Sequence, residues 1–153
     1  NFESLSEMVL GCTFIKQAPD MFGAQNLMKL CLDNCKNLVE VHDSIGRDKL
    51  TWFNAIGCTN LRIVPHNFKL TSLEHMSLKK CSSLQCLPNI LEEMKHVKNL
   101  DLSGTAIEEL PLSFRKLIGL KYLVLYKCNM LNQIPTSILM LLKLERLTAV
   151  QCG

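Results

Sequence analysis

Cysteine and histidine are the side chains of this chain that could bind a metal, form disulfides or act as nucleophiles. The 153 residues include eight cysteines and four histidines. Two of the cysteines, Cys81 and Cys86, lie in the stretch LKKCSSLQCLP at positions 78–88. Such a number suits a disulfide framework in a small secreted protein, whereas in an intracellular protein it more often indicates metal binding or catalysis. The choice depends on where the fold places each cysteine.

A repeat of 22 to 24 residues runs through the chain. Its clearest copy, LKYLVLYKCNMLNQIPTSI at positions 120–138, reads L-x-x-L-x-L-x-x-C-x-x-L-x-x-I-P-x-x-I. The apolar residue that opens each copy recurs at Leu5, Leu27, Leu50, Leu73, Val97, Leu120 and Leu144. This period and spacing are those of the leucine-rich repeat. The alternating L-x-L segment predicts one short strand per repeat, with its leucines facing a shared core.

The second half of each repeat is a return arm that leads to the next strand. The apolar positions of the arms are Ala18, Val41, Val64, Leu87, Leu110 and Ile134, then Phe22, Ile45, Phe68, Leu91, Phe114 and Ile138. Proline follows the first of these positions in every arm except one, which has His42. Because proline opposes a long helix, we expect irregular or short 3₁₀ structure there. Residues 89–94, NILEEM, are the best candidate for a helical turn.

Stacked coils of this kind predict an α/β repeat solenoid, the leucine-rich-repeat horseshoe with a parallel sheet on its concave face. We expect one domain over residues 1–153, with about seven repeat starts. Terminal coils of a solenoid need polar caps. The sequence has no cap at either end, which predicts a fragment of a longer protein.

The repeat assigns most cysteines to one position. Cys12, Cys35, Cys58, Cys81, Cys128 and Cys152 share it, and Thr105 occupies it in the remaining coil. We predict a buried ladder of thiols rather than a zinc site, because zinc ligands must converge on one point. Ladder side chains point the same way, so unpaired thiols in a reducing compartment, the cytosol, are expected. Of the other two, Cys31 should face the concave surface and Cys86 should lie near solvent.

No catalytic or cofactor-binding group is recognisable. The histidines, His42, His66, His75 and His96, have no obvious cysteine or carboxylate partner, and the common phosphate-loop, zinc-protease and hydrolase motifs are absent from the sequence. The net charge of +3 comes without a Lys/Arg block, and no apolar run approaches a membrane span. We therefore expect a non-enzyme without cofactor or metal in this segment, and partners that are neither nucleic acid nor membrane.

Exposed side chains that flank the core leucines of the strands form the candidate binding site. Strand spacing of about 4.8 Å aligns Trp52, His75, Asn99, Tyr122 and Arg146 in one row, and Ile56, Lys79, Ser103, Tyr126 and Val150 in another. Aromatic residues and arginine most often anchor protein interfaces. The predicted protein-binding residues are Trp52, His75, Lys79, Lys80, Lys98, Tyr122, Tyr126 and Lys127. The alternative is that the aromatic residues merely suit strands and the lysines merely keep the surface soluble.

Four phrases resemble the repeats of plant intracellular disease-resistance proteins: LCLDNCKNLVEV, HMSLKKCSSLQCLPN, LDLSGTAIEELP and LVLYKCNMLNQIP. They are most similar to the class with a Toll/interleukin-1-receptor-like domain and a nucleotide-binding domain. The resemblance implies an innate immune receptor whose repeats sense a pathogen effector or a guarded host protein. It also implies that the repeats hold their own nucleotide-binding domain inactive in cis. ADP or ATP would bind only in that upstream domain, and the protein would be cytoplasmic or also nuclear.

Two other classes of repeat protein are alternatives. Substrate receptors of ubiquitin ligases contain cysteine in their repeats, but those repeats are longer and lack the regular proline. Extracellular receptors have asparagine in the ladder position and glycine before Ile-Pro, and this chain has neither feature.

Overall fold

Each L-x-L segment forms one strand of a parallel sheet. The computed structural model describes residues 2–12, 14–45, 48–65 and 70–153. Its strands are β1 (Glu7–Val9), β2 (Lys29–Cys31), β3 (Trp52–Asn54), β4 (His75–Ser77), β5 (Asn99–Asp101), β6 (Tyr122–Val124) and β7 (Arg146–Thr148). They pair in sequence order, each parallel to the next. The predicted repeat solenoid is confirmed, and each coil is numbered here after its strand.

The register places equivalent positions of neighbouring coils side by side. Leu30 pairs with Phe53, and Phe53 pairs with Met76. These central residues point into the core, where Leu30 and Phe53 are fully buried. The residues on either side of them face outward and form the exposed face of the sheet, called the sheet face below. A parallel sheet built in this way shares one continuous core between coils, which a single coil could not form alone.

Each coil leaves the sheet through a residue in the left-handed region of backbone space. We call this residue the corner. The corners are Cys12, Asn34, Gly57, Lys80, Gly104, Lys127 and Gln151, with φ between 55° and 74°. Glycine and asparagine adopt this conformation most readily, because a Cβ normally makes it unfavourable. Three coils follow that preference and four do not.

The cysteine ladder follows the corners. Cys35, Cys58, Cys81 and Cys128 are buried, and Cys152 is partly buried. Each thiol donates to a main-chain carbonyl of the preceding coil; for example, Cys81 Sγ lies 3.0 Å from the oxygen of Ala55 and Cys58 Sγ lies 3.0 Å from that of Leu32. Thr105 is also buried, but its hydroxyl donates to Leu102 of its own coil, at 2.7 Å. The thiols therefore stabilise the stacking of coils.

Cys12 is not part of the ladder, so this prediction was wrong. Its side chain is exposed, its φ is 59°, and its N–H donates to the oxygen of Asp33. It is therefore the corner of coil 1, equivalent to Asn34. The main-chain hydrogen bonds to the next coil fix the number of residues between the end of the strand and the corner. Coil 1 is consequently one residue shorter than coil 2 after its corner, because Ile15 follows Cys12 by three residues whereas Leu38 follows Asn34 by four.

Helical turns occur in some return arms, but not where we expected the best one. The 3₁₀ helices of the described residues are Asp43–Ile45, Leu112–Lys116 and Thr136–Met140. Residues 89–94 form no helix. The N–H of Ile90 donates instead to Ser113 Oγ of the next coil, at 3.0 Å. Met21 makes the same bond to Ser44 Oγ, at 2.9 Å. An arm whose main chain bonds to its neighbour in this way stays extended.

The extended arms bury different residues from those predicted. Phe22 and Leu91 are 59% and 42% exposed, whereas Met21 and Ile90 are buried in their place. An extended chain advances about 3.3 Å per residue and a 3₁₀ helix about 2 Å. An extended arm therefore reaches the core one residue earlier than a helical arm such as the one that buries Phe114. The predicted core residue Phe68 and the histidine His66 lie outside the described residues.

Ile134 was also predicted to be a core residue, but it is 39% exposed. It lies in the arm of coil 6, which packs against the arm of coil 5 on one side, whereas among the described residues no arm packs on its other side. Leu139 and Leu142 of the same arm are 78% and 93% exposed.

Candidate protein-binding face

The predicted binding residues lie on the sheet face or at its corners. The register aligns Trp52 with His75, and Tyr122 with Asn99 on one side and Arg146 on the other. The first predicted row is therefore confirmed. The second row is confirmed by main-chain hydrogen bonds. The residue after each member of the row donates its N–H to the carbonyl of the member in the next coil; for example, Gly57, which follows Ile56, donates to Lys79.

Trp52 and His75 form a stacked pair at one end of this face. Their ring centroids are 4.0 Å apart and the rings are inclined by 20°. The Asn54 amide, oriented by this network, donates to His75 Nε2 at 3.1 Å and accepts from Trp52 Nε1 at 3.3 Å. Burial lowers the pKa of His75, although Asp101 partly opposes this effect. The imidazole is therefore neutral at pH 7, and both rings are held in fixed positions.

Sequence reasoning missed Asn54, which fixes this pair. The signal was available, because Asn54 follows the buried Phe53 in β3 and must face outward with Trp52. The orientation of its amide depends on the neighbouring strand, and that required the register.

Tyr122 belongs to a second group, around Glu145 of the next coil. Tyr122 Oη donates to Glu145 Oε2 at 2.9 Å, and Lys121 Nζ donates to Oε1 at 2.8 Å. These hydrogen bonds lower the pKa of Glu145 and raise the pKa of Tyr122 and of Lys121. Exposed pairs of this kind contribute little to stability, because solvent screens them. Their effect is to orient the phenol ring across the sheet face.

The predicted lysines differ in their surroundings. Lys98 forms an ion pair with Glu74 at 3.1 Å. Lys79, Lys80 and Lys127 are exposed, and within the part of the chain that the structure describes no ion pair joins them to a carboxylate. Lys127 Nζ lies 5.3 Å from the centroid of the Tyr126 ring, a cation–π distance. Among the predicted lysines, those without an ion pair to a described carboxylate therefore lie in coils 4 and 6.

The remaining cysteines lie where the sequence placed them. Cys31 is partly buried on the sheet face and Cys86 is exposed. Burial raises the pKa of Cys58 and of Cys81 to about 12, so these thiols are protonated at neutral pH. Protonated thiols are poor nucleophiles and poor metal ligands. Among the described residues, no group of three or more His, Cys, Asp or Glu side chains is arranged to hold a metal ion.

A small gap lies in the core beside the arm of coil 4. Its volume is about 30 Å³, and its walls are apolar, including Met76, Ile90, Met94 and Phe114. Pockets for organic ligands are about ten times larger or more. The gap is therefore a packing defect rather than a ligand site. Within the residues that the structure describes, no helix is long and apolar enough to cross a membrane.

The chain is similar to plant disease-resistance proteins over most of its length. It is 37% identical over 137 residues to the Arabidopsis thaliana protein named SUPPRESSOR OF npr1-1, CONSTITUTIVE 1, covering 89% of this chain. It is 34% identical over 141 residues to TMV resistance protein N of Nicotiana glutinosa, covering 91% of this chain. It is 39% identical over 137 residues to Disease resistance protein RPP5 of Arabidopsis thaliana, covering 89% of this chain. No family model matches the chain.

The matched segment is a small part of each relative. The chain spans 9% of the length of the first and third of these proteins and 12% of the second. Together with the seven-stranded solenoid, this similarity shows that the chain is a leucine-rich-repeat segment homologous to plant disease-resistance proteins.

Proposed function

We propose that this chain is a protein-recognition segment of a plant immune receptor. Its sheet face would bind a pathogen effector or a guarded host protein. The observation that carries the proposal is the placement of the aromatic residues with polar tips. The one Trp and the two Tyr of the chain all lie on this face, with 39%, 36% and 40% of Trp52, Tyr122 and Tyr126 exposed. The similarity to resistance proteins supports the same reading.

The geometry of the face favours binding to a protein. Aromatic side chains provide a large contact area and are enriched where interfaces are strongest. Trp52 is held by its stack with His75 and by Asn54, and Tyr122 is held by Glu145. A partner therefore has little side-chain freedom to remove when it binds, and this lowers the entropic cost of association. The paired lysine Lys98 adds less, because a partner must first compete with Glu74.

We also propose that this segment has no enzymatic activity and that it holds a nucleotide-binding domain of the same protein inactive until the partner arrives. Both proposals rest on the similarity to resistance proteins. A cytoplasmic location, or one that is also nuclear, is supported by the cysteines of the described residues, none of which forms a disulfide. Thiols that donate hydrogen bonds in the core, such as Cys58 and Cys81, suit a reducing compartment.

The test uses the longer gene product that contains this segment, expressed in leaf tissue of the source plant. The variant to compare with the parent combines Trp52→Ala, Tyr122→Ala and Lys79→Glu. We expect the cell-death response to the matching pathogen to be lost while the protein accumulates normally. A response that appears without the pathogen would support the inhibitory contact in cis.

A matched control places similar changes on the return arms. Phe22 and Leu112 are 59% and 73% exposed, and Lys95 is exposed as well. The combination Phe22→Ala, Leu112→Ala and Lys95→Glu should leave the response intact. If the sheet-face variant also responds as the parent does, the proposed binding face is wrong.

A further inference from the structure

Two corners of the solenoid have lysine where the backbone favours glycine or asparagine. Lys80 and Lys127 have φ of 63° and 58°, whereas the corners between and before them are Gly104 and Gly57. The N–H of Lys80 donates to the oxygen of Ser103, and the N–H of Lys127 donates to that of Val150. Glycine would make the same main-chain bonds with less strain. The fold therefore does not require lysine at either corner.

The two lysines flank a low strip of the surface. Coil 5 contributes only Ser103 and Gly104 there, and Ser103 is 4% exposed. Coils 4 and 6 contribute larger exposed side chains on either side, at Lys79, Lys80, Tyr126 and Lys127. With neighbouring strands about 4.8 Å apart, the two flanks are separated by roughly 10 Å. We call this strip and its flanks the corner notch.

The corner notch carries positive charge without nearby compensation. Its three ammonium groups have no carboxylate partner among the described residues, in contrast to Lys98 and Lys121, whose partners are Glu74 and Glu145. Asp101 in coil 5 is an acidic residue of the strand between the two flanks, and one of its oxygens already accepts the N–H of Ser103, at 2.9 Å. A ligand that brings negative charge to the notch would therefore gain interactions that the protein does not make internally.

We propose that the corner notch binds an acidic segment of the protein partner. Two carboxylates that are three residues apart in a polyproline II segment lie on the same side of the chain and about 9 Å apart, which is close to the distance between the flanks. One carboxylate would meet Lys79 and Lys80, the other would meet Lys127, and the residues between them would pack against Tyr126. This inference rests on the proposed function, for which it specifies the chemistry of the partner.

The direct probe is a fluorescein-labelled deca-glutamate peptide, with deca-glutamine as the neutral control. Binding to this 153-residue chain is followed by fluorescence anisotropy at about 50 mM and about 300 mM salt. We expect deca-glutamate to bind at least tenfold more tightly than deca-glutamine at the lower salt. The difference should shrink at the higher salt, because exposed charges are screened.

The decisive variant is Lys80→Gly combined with Lys127→Gly. We expect it to bind deca-glutamate at least tenfold more weakly without a lower melting temperature, because glycine suits a positive φ. Lys79→Gln should weaken binding further. The matched control is Lys16→Gln with Lys95→Gln, which removes the same charge from two exposed lysines away from the notch. It should bind like the parent.

Three results would overturn the inference. The first is equal binding of deca-glutamine and deca-glutamate. The second is an equal loss of binding in the control variant, which would indicate attraction by net charge alone. The third is tighter binding of a ten-nucleotide oligothymidine, which would indicate a phosphate backbone instead of an acidic peptide.

The leaf assay separates this inference from the proposed function. If the notch fails these tests while a variant with only Trp52→Ala and Tyr122→Ala still loses its response, the sheet face recognises a partner of different chemistry. If the notch passes but the sheet-face variant responds normally, the chain has an acidic-peptide site that does not serve recognition.

Discussion

Replacing Cys81 by alanine tests whether the thiol ladder stabilises the stacking of coils. Cys81 is fully buried, and its thiol connects coil 4 to the carbonyl of Ala55 in coil 3. Alanine keeps the Cβ and removes only the sulfur. Cys86 in the same coil is exposed, so Cys86→Ala makes the same chemical change at a position without these contacts.

The expected cost follows from what the sulfur contacts. Removing one buried atom of this size loses about 1 kcal/mol of transfer free energy, similar to a buried methylene. The thiol is a weak donor, so its hydrogen bond adds about 0.5 to 1 kcal/mol. The Ala55 carbonyl is not left unpaired, because it still accepts the N–H of Cys58 at 3.4 Å. We therefore expect Cys81→Ala to lower the free energy of unfolding by about 1.5 to 2 kcal/mol.

Urea unfolding of the two variants, followed by circular dichroism, measures the difference. For a slope of about 2 kcal/mol per molar urea, the midpoint of Cys81→Ala should fall by roughly 1 M. Cys86→Ala should change the free energy by less than about 0.5 kcal/mol. Equal midpoints for the two variants would show that the ladder contributes nothing to stability beyond that of an exposed cysteine.

Three further predictions concern the buried polar groups. At pH 8, alkylation of the native protein followed by mass spectrometry should label Cys86 at least a hundredfold faster than Cys58 or Cys81. The reason is that a thiol with a pKa of about 12 forms roughly a thousandth of the thiolate that a thiol with a pKa of 9.0 forms. Similar labelling rates would contradict the buried ladder. Since these pKa values are raised on folding, the contribution of the two thiols to stability should be constant below pH 9 and should fall by up to about 1.4 kcal/mol per thiol and pH unit between pH 9 and 12. A double variant with Cys58→Ser and Cys81→Ser should flatten this part of the stability curve. Ser137 Oγ is buried and has no hydrogen-bond partner among the described residues, whereas Ser113 Oγ accepts the N–H of Ile90. Ser137→Ala should therefore leave the urea midpoint unchanged or raise it, and Ser113→Ala should lower the midpoint.

The strands and their alignment could be predicted because the repeat determines them at every turn. An alternating pattern that returns after 22 to 24 residues can bury its leucines only if equivalent strands lie side by side. The pairing of Trp52 with His75 and of Tyr122 with Asn99 follows from that alone. The ladder positions of Cys58 and Cys81 follow from the same register.

The return arms could not be predicted to the residue, because proline is compatible with both forms of the arm. Pro111 precedes a helix and Pro88 does not. The difference arises from hydrogen bonds to the next coil, such as that of Ile90 to Ser113, which no local pattern reveals. The apolar residue that the arm buries changes accordingly.

A further core position was readable from the sequence but was overlooked. It lies three residues before the apolar residue that opens a repeat copy, and it is buried at Ala24, Leu70, Met94, Leu117 and Leu141. The carbonyls of Leu70 and Leu117 accept the N–H three residues later, which closes the turn into the next coil.

The corners show why strain and charge must be considered together when a site is inferred. Cys12 and Gln151 also adopt positive φ without being glycine, so an unfavourable corner alone does not identify a binding site. At Lys80 and Lys127 two independent features coincide, since the backbone favours another residue and the charge lacks a partner among the described residues. In the ladder, by contrast, burial, hydrogen bonding and register all favour the same small side chain. Where the backbone conformation favours a residue other than the one observed, we expect function, rather than folding, to explain the observed residue. The corner notch, rather than the aromatic row, is therefore the part of the face whose residues stability does not explain.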